Sequence, residues 1–220
     1  MLARPISMFR QAARRSLAAA LPRRVFLTHG PRGSGEVCLT FDDGPHPEYT
    51  PRLLDVLGEL GVPATFFIIG QEAERYPDLV RRMAAEGHAV GNHSQTHPAR
   101  GTSGPREAAQ EVARCTRTVA EILGRPPRLY RPPHGKVTVR DLWRLWRGGM
   151  SVVLWNVDPR DYSRRNATEV TDWFAGQTIT AGDVVLFHDT HPHAVEVLPK
   201  LVRDARAAGY SFTTVEAWTR

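Results

Sequence analysis

From residue 36 onward the chain alternates short apolar runs with helix-type segments, and this alternation restricts its fold more than any other feature. Residues 37–41, 64–69, 88–91, 129–130, 151–155, 183–187 and 211–214 read as strands, most of them rich in β-branched or aromatic side chains. Residues 50–60, 76–86, 105–123, 139–146, 168–174 and 194–208 read as helices, with Pro51 in a first turn and Gly87 and Gly124 as stops. Strand followed by helix, repeated, means βα units around a parallel sheet. About seven such units in 185 residues are too few for a complete (β/α)8 barrel, which takes ~250 residues. The expected fold is therefore α/β, a distorted or incomplete (β/α) barrel of about seven strands. No Gly-rich phosphate loop of a nucleotide-binding fold occurs.

The first of these strands ends in an unusual way. Val37-Cys38-Leu39-Thr40-Phe41 runs into Asp42 and Asp43, and Gly44-Pro45 then forces a turn. Two adjacent carboxylates repel each other, and burying either is costly without a cation or proton to offset it. One acid holding a metal and its neighbour handling protons meets that requirement, although an Asp-Gly turn also has a purely structural rationale. Asn92-His93-Ser94-Gln95-Thr96-His97 follows the third strand. Histidines four apart share a face on a helical turn, so both imidazoles can reach one ion. With Asp43 the set is two nitrogens and one carboxylate oxygen, a zinc-type set with a position left for water. All the polar clusters follow strands, at the rim where barrels of this kind build active sites.

The remaining features are less specific. Of 29 Lys and Arg, seven lie in residues 1–35, where no acid occurs, which leaves 22 basic against 23 acidic side chains elsewhere. The chain thus divides into a basic N-terminal arm, 1–35, and a neutral globular body, 36–220. In the arm Ile6, Phe9, Ala13, Leu17 and Leu21 recur at helical spacing among arginines, a pattern compatible with contact with an anionic membrane surface or with packing on the body. No stretch approaches the ~20 apolar residues of a transmembrane helix, and the apolar patch is shorter than the ~7–15 residues of a secretory signal core. Nucleic acid is not expected as a partner, because the body has no basic surplus. Cys38 and Cys115 are expected as buried free thiols. His46, His191 and His193 are expected as solvated rim histidines, and Trp143, Trp146 and Trp155 as core.

Thr40-Phe41-Asp42-Asp43-Gly44-Pro45 and His93-Ser94-Gln95-Thr96-His97 resemble the first two motifs of the polysaccharide deacetylases, the carbohydrate esterases of the chitooligosaccharide and peptidoglycan deacetylase type. The resemblance continues in order through Arg131-Pro132-Pro133-His134-Gly135, Asp158-Pro159-Arg160-Asp161-Tyr162 and Leu186-Phe187-His188-Asp189. It implies a distorted (β/α) barrel and a hydrolase that removes acetyl groups from N-acetylated sugars, with one divalent ion, zinc first and cobalt or another ion second. By the same resemblance Asp43, His93 and His97 hold the metal, and Asp42 is the general base for the attacking water. Arg131 orients Asp42, and His188 is the general acid for the departing amine. The oxyanion donor is the backbone N–H of His134, while Leu186 and Tyr162 line the acetyl pocket.

The family commonly has an aromatic residue where this chain has His134, and a Trp where it has Tyr162. Spacing leaves both Asp158 and Asp161 open as the partner of His188, with Asp161 preferred. An acetylated glycan is the expected partner, and a monomer the expected state. A cyclic-amide hydrolase on the same fold, or an inactive carbohydrate-binding module, are the alternative readings.

Overall fold

The computed structural model describes residues 16–99, 102 and 104–220. Eight strands are present among them: β1 Phe26–Leu27, β2 Glu36–Asp42, β3 Thr65–Ile68, β4 Ala89–Asn92, β5 Leu129–Tyr130, β6 Ser151–Val153, β7 Val184–His188 and β8 Ser211–Phe212. The α-helices are α1 Tyr49–Leu60, α2 Gly70–Arg75, α3 Pro77–Ala85, α4 Pro105–Leu123, α5 Val139–Arg147, α6 Ala167–Ala175, α7 His193–Ala207 and α8 Val215–Thr219.

Seven strands form one curled parallel sheet in the order β1-β6-β5-β4-β3-β2-β7, with β8 paired to the start of β2. The gap between the edges β1 and β7 is spanned by a bond from Gly30 N–H to Gly182 O (2.7 Å) and by a parallel bridge of Val157 with Val185. The sheet is thus a barrel held shut at one seam by loops, as expected for a distorted (β/α) barrel.

Alternation along each strand sorts the side chains into two cores. Leu39, Phe41, Phe66, Val185 and Phe187 face outward onto Leu53, Leu54 and Leu57 of α1, Val119 of α4 and Leu198 of α7. The intervening residues Cys38, Phe67, Ala89, Leu129, Val153 and Val184 fill the lumen. Trp218 of α8 plugs the lumen where the strands begin, so close to Gly30 that a Cβ there would lie 2.3 Å from its ring. Cys38 and Cys115 are buried free thiols. No helix among the described residues is long and apolar enough to cross a membrane.

The boundary expected at residue 35 is not where the body begins. Phe26 and Leu27 are buried and pair with Val152 and Val153 of β6, and Leu17 and Leu21 pack beside Leu142 and Leu145 of α5. A two-residue strand leaves no periodic trace in the sequence, which is why it read as part of the arm. Residues 16–20 are helical, while the rest of the expected amphipathic helix, 1–15, lies outside the described residues. Helix α2 and helix α8 were also missed, both being under two turns long.

Candidate active site

Because β2 and β7 pair in register, Thr40 lies opposite Leu186 and Asp42 opposite His188. These are the inward positions that follow Cys38 and Val184, so the lumen ends in a carboxylate and an imidazole at the carboxyl rim. Leu186 is 2 % exposed and belongs to none of the apolar clusters. Asp43, the next residue, would face outward in an extended strand. Its φ of 76° turns the carboxylate back over the rim. Non-glycine residues at positive φ are uncommon and strained. Here they fall on Asp43, Ser94, His97, His134 and Arg160, all in the rim loops.

Asp42 is 3 % exposed, and its Oδ1 accepts from Arg131 Nη1 at 2.7 Å. Arg131 is fully buried, donates also to Thr40 Oγ1 and to the carbonyls of Val153 and Leu154, and lies over the Phe67 ring at 4.1 Å. Burial lowers the Arg131 pKa, and the charge of Asp42 works against that. Breaking a buried pair of this kind costs about 3–5 kcal/mol, because one charge is then left alone.

His93 and His97 do not share a helical turn, contrary to the expectation from their spacing. They lie in a loop after β4, where Ser94 at φ 72° and His97 at φ 49° curl the chain. Asn92 Oδ1 accepts from Ser94 N–H, and Ser94 Oγ accepts from His97 N–H. The two rings nonetheless converge, with centroids 4.9 Å apart. His93 Nδ1 lies 2.7 Å from the Arg131 carbonyl, which can only accept, so Nδ1 carries the proton and Nε2 presents its lone pair. His93 Nε2 and His97 Nε2 lie 3.4 and 3.5 Å from Asp43 Oδ1, an oxygen that is buried without a hydrogen-bond partner among the described residues. Burial lowers the His97 pKa and so favours the neutral ring that can ligate. Ligand atoms of Asp43, His93 and His97 all lie within 4.8 Å of one another. Two imidazole nitrogens and an orphaned carboxylate oxygen fit a divalent ion with an open coordination position.

Across from this cluster, His188 Nδ1 bonds Asp161 Oδ1 at 2.8 Å, and the His188 N–H donates to Asp161 Oδ2 at 2.7 Å. Asp158 instead accepts from the Arg160 N–H. Burial disfavours the His188 cation, but the hydrogen bond and charge of Asp161, with Asp42 and Asp43, push its pKa up to about 9. Burial would likewise raise Asp43, yet the close imidazole of His93, then His188 and His97, hold it well below the usual carboxylate range. His188 Nε2 faces Asp43 Oδ2 at 3.9 Å, so His188 and the cluster of Asp43, His93 and His97 front one space. Tyr162 is 57 % exposed and sets its ring edge-on to His188 at 5.1 Å. His134 stands at φ 58° beside His97, and the turn's own bonds run from Gly135 and Lys136 to Pro132 and Pro133, leaving its N–H out.

Several supporting residues escaped the sequence. Asp189 is 1 % exposed, takes a bond from Thr50 Oγ1, and crowds Gly44, where a Cβ would lie 2.0 Å from its Oδ2. Burial, against the Thr50 bond and with the charge of Asp43, pushes the Asp189 carboxyl up to about 7. Glu111 of α4 accepts from both the N–H and the hydroxyl of Thr96 and so anchors the loop. His193 is not solvated but buried, and both ring nitrogens of His191 are buried as well. Trp143 is not core: it is 57 % exposed.

A family model described as polysaccharide deacetylase matches residues 29–153. The peptidoglycan-N-acetylglucosamine deacetylase of Bacillus cereus is 34 % identical over 190 residues, 84 % of this chain and 69 % of that protein. The chitooligosaccharide deacetylase of a Bradyrhizobium species is 41 % identical over 165 residues, 74 % of this chain and 75 % of its own. A crystal structure of a peptidoglycan N-acetylglucosamine deacetylase superposes with a TM-score of 0.83 at 32 % identity, covering 88 % of this chain and 92 % of that one. On sequence, and on a barrel whose five motifs meet at one rim, the chain belongs to the polysaccharide deacetylase family.

Proposed function

We propose that the chain is a divalent-metal-dependent deacetylase that hydrolyses the acetamido group of N-acetylated sugars in an oligo- or polysaccharide, releasing acetate. One observation carries this reading. The Asp42 carboxylate paired to a buried arginine, the cluster of Asp43, His93 and His97, and a histidine hydrogen-bonded to Asp161 face the same space. The names of the relatives, peptidoglycan and chitooligosaccharide deacetylases, support the substrate class.

Asp43, His93 and His97 would hold the ion, zinc foremost, through one carboxylate oxygen and two Nε2 atoms. When bound, such an ion acidifies water and polarises the acetyl carbonyl. The chain's own groups perform the rest. Arg131 occupies Asp42 Oδ1, so Oδ2, which lies 3.7 Å from His93 Nε2, is the atom left to take the proton of the attacking water. The water oxygen bonds the acetyl carbon, and the His134 N–H donates to the oxygen that gains charge. His188 then gives its proton to the amine nitrogen as the C–N bond breaks, and Asp161 stabilises it before transfer and fixes its ring. Leu186 and Tyr162 form the walls of the acetyl pocket. The basic N-terminal segment would contact an anionic membrane surface, and the enzyme would act as a monomer.

The test is acetate release over a panel of N-acetylated and O-acetylated glycans. Release from N-acetylglucosamine oligomers or peptidoglycan that stops in a strong chelator is expected. Inertness toward every N-acetylated glycan, with zinc supplied, would overturn the proposal.

A further inference from the structure

The end of the barrel opposite the active site carries a cavity of about 530 Å³ lined by Arg24, Arg125, Arg128, Arg220 and Trp146, with Glu216 as its one acid. All four arginines are exposed, and the ion pairs of the described residues involve none of them. The place is fixed by β6: Ser151, its first residue, donates its N–H to Arg128 O and its hydroxyl to Arg24 O. From this cavity the surface continues onto α5. Trp146 touches Trp143, their ring centroids 5.0 Å apart, and Arg147 reaches over Trp143 at 6.0 Å. Arg144, next to Trp143 in the chain, is exposed as well. Asp141 is the acid of this stretch; it caps the helix through Thr138 and pairs with Arg144. The N-terminal segment joins the body on the same flank, where Leu17 and Leu21 pack beside Leu142 and Leu145.

We infer that this base is a docking face for an anionic lipid bilayer. A cluster of arginines outside any ion pair meets the negative charge of lipid headgroups, while exposed Trp143 is of the type that enters the interfacial layer. Tryptophans among arginines on one helix face fit this occupant better than nucleic acid, for which the described residues offer no groove-reading element. Docked this way, the catalytic rim points away from the bilayer by the height of the barrel, about 20 Å for the seven residues of β2. The surface then holds the enzyme while leaving its site open to a polymer outside the headgroup layer. Docking by this face is separate from contact through the N-terminal segment, and the variants that test it leave residues 1–21 untouched.

The experiment is co-sedimentation of the full chain with vesicles of phosphatidylcholine alone and with about 30 % phosphatidylglycerol. Each arginine near an anionic bilayer is worth about fivefold in affinity. Combining Arg24→Gln, Arg125→Gln and Arg128→Gln should therefore weaken binding to the anionic vesicles about a hundredfold. Turnover of a soluble N-acetylglucosamine oligomer should be unchanged, since the active site lies at the other end. Trp143→Ser, a single exposed change, should weaken binding several-fold and decides the question if the triple variant does not fold. Wild-type vesicle binding by these variants overturns the inference, and does so even if removing residues 1–15 abolishes binding. Tighter binding to duplex DNA than to the anionic vesicles, or release from vesicles by millimolar inorganic phosphate at constant ionic strength, overturns it too.

Discussion

Replacing Asp161 by Asn isolates the acid half of the site. Asp161 has no exposure and gives both carboxylate oxygens to His188, one to Nδ1 and one to the backbone N–H. Raising His188 from the ordinary 6.5 to about 9 stabilises the imidazolium by on the order of 3 kcal/mol. The pair therefore stabilises the folded chain fully below pH 6.5, and that contribution is lost as pH rises through about 9. Asn keeps the shape but removes the charge, so His188 falls back toward the ordinary histidine value of about 6.5 or below it, given its burial. At the acid end of the range, where both proteins protonate His188, kcat/KM for an N-acetylglucosamine oligomer should differ least from this cause. At pH 8.5 the protonated fraction falls from about three quarters to about one hundredth or less, so the variant should lose at least about 70-fold more than at pH 5.5. The assay is acetate release from pH 5.5 to 9.5, with bound metal measured alongside. An alkaline limb at the same pH in both proteins would refute the role of Asp161.

The two adjacent aspartates should fail differently. Asp42→Asn should keep its metal and lose turnover by roughly 10²–10⁴-fold, whereas Asp43→Asn should lose metal content and recover part of its rate in excess zinc; metal analysis with kinetics separates the two. His188→Ala should abolish amide hydrolysis with a smaller effect on an activated acetyl ester, whose leaving group needs no proton; equal losses on both substrates would contradict the general-acid role. Gly44→Ala should destabilise the chain by about 1–3 kcal/mol in denaturant titration and disturb metal binding, because the new methyl would stand 2.0 Å from Asp189 Oδ2.

The strands and most helices were legible because hydrophobic period and glycine stops act locally, as at Gly124 behind α4. Their assembly at one rim followed from parallel topology, which puts every strand's carboxyl end on the same side. What was not legible depends on backbone conformation or on distant chain. The sequence suggested a helical turn for His93 and His97, but left-handed residues and bonds from Asn92 and Ser94 bring the rings together. Asp189 and Thr50 lie 139 positions apart, so nothing in either neighbourhood announces their bond. Helix α5 is apolar at Val139, Leu142, Trp143, Leu145 and Trp146; such a crowded pattern marks no face, and only packing shows that Leu142 and Leu145 go inside.

Metal titration of the full chain tests the proposed chemistry most directly. Stripped of metal, the enzyme should release no acetate from an N-acetylglucosamine oligomer. Zinc should restore the rate in proportion to occupancy, saturating at one ion per chain, and Asp43→Asn should shift that saturation to higher concentration. Full turnover by rigorously metal-free enzyme, or saturation unmoved by Asp43→Asn, would contradict the assignment of Asp43, His93 and His97.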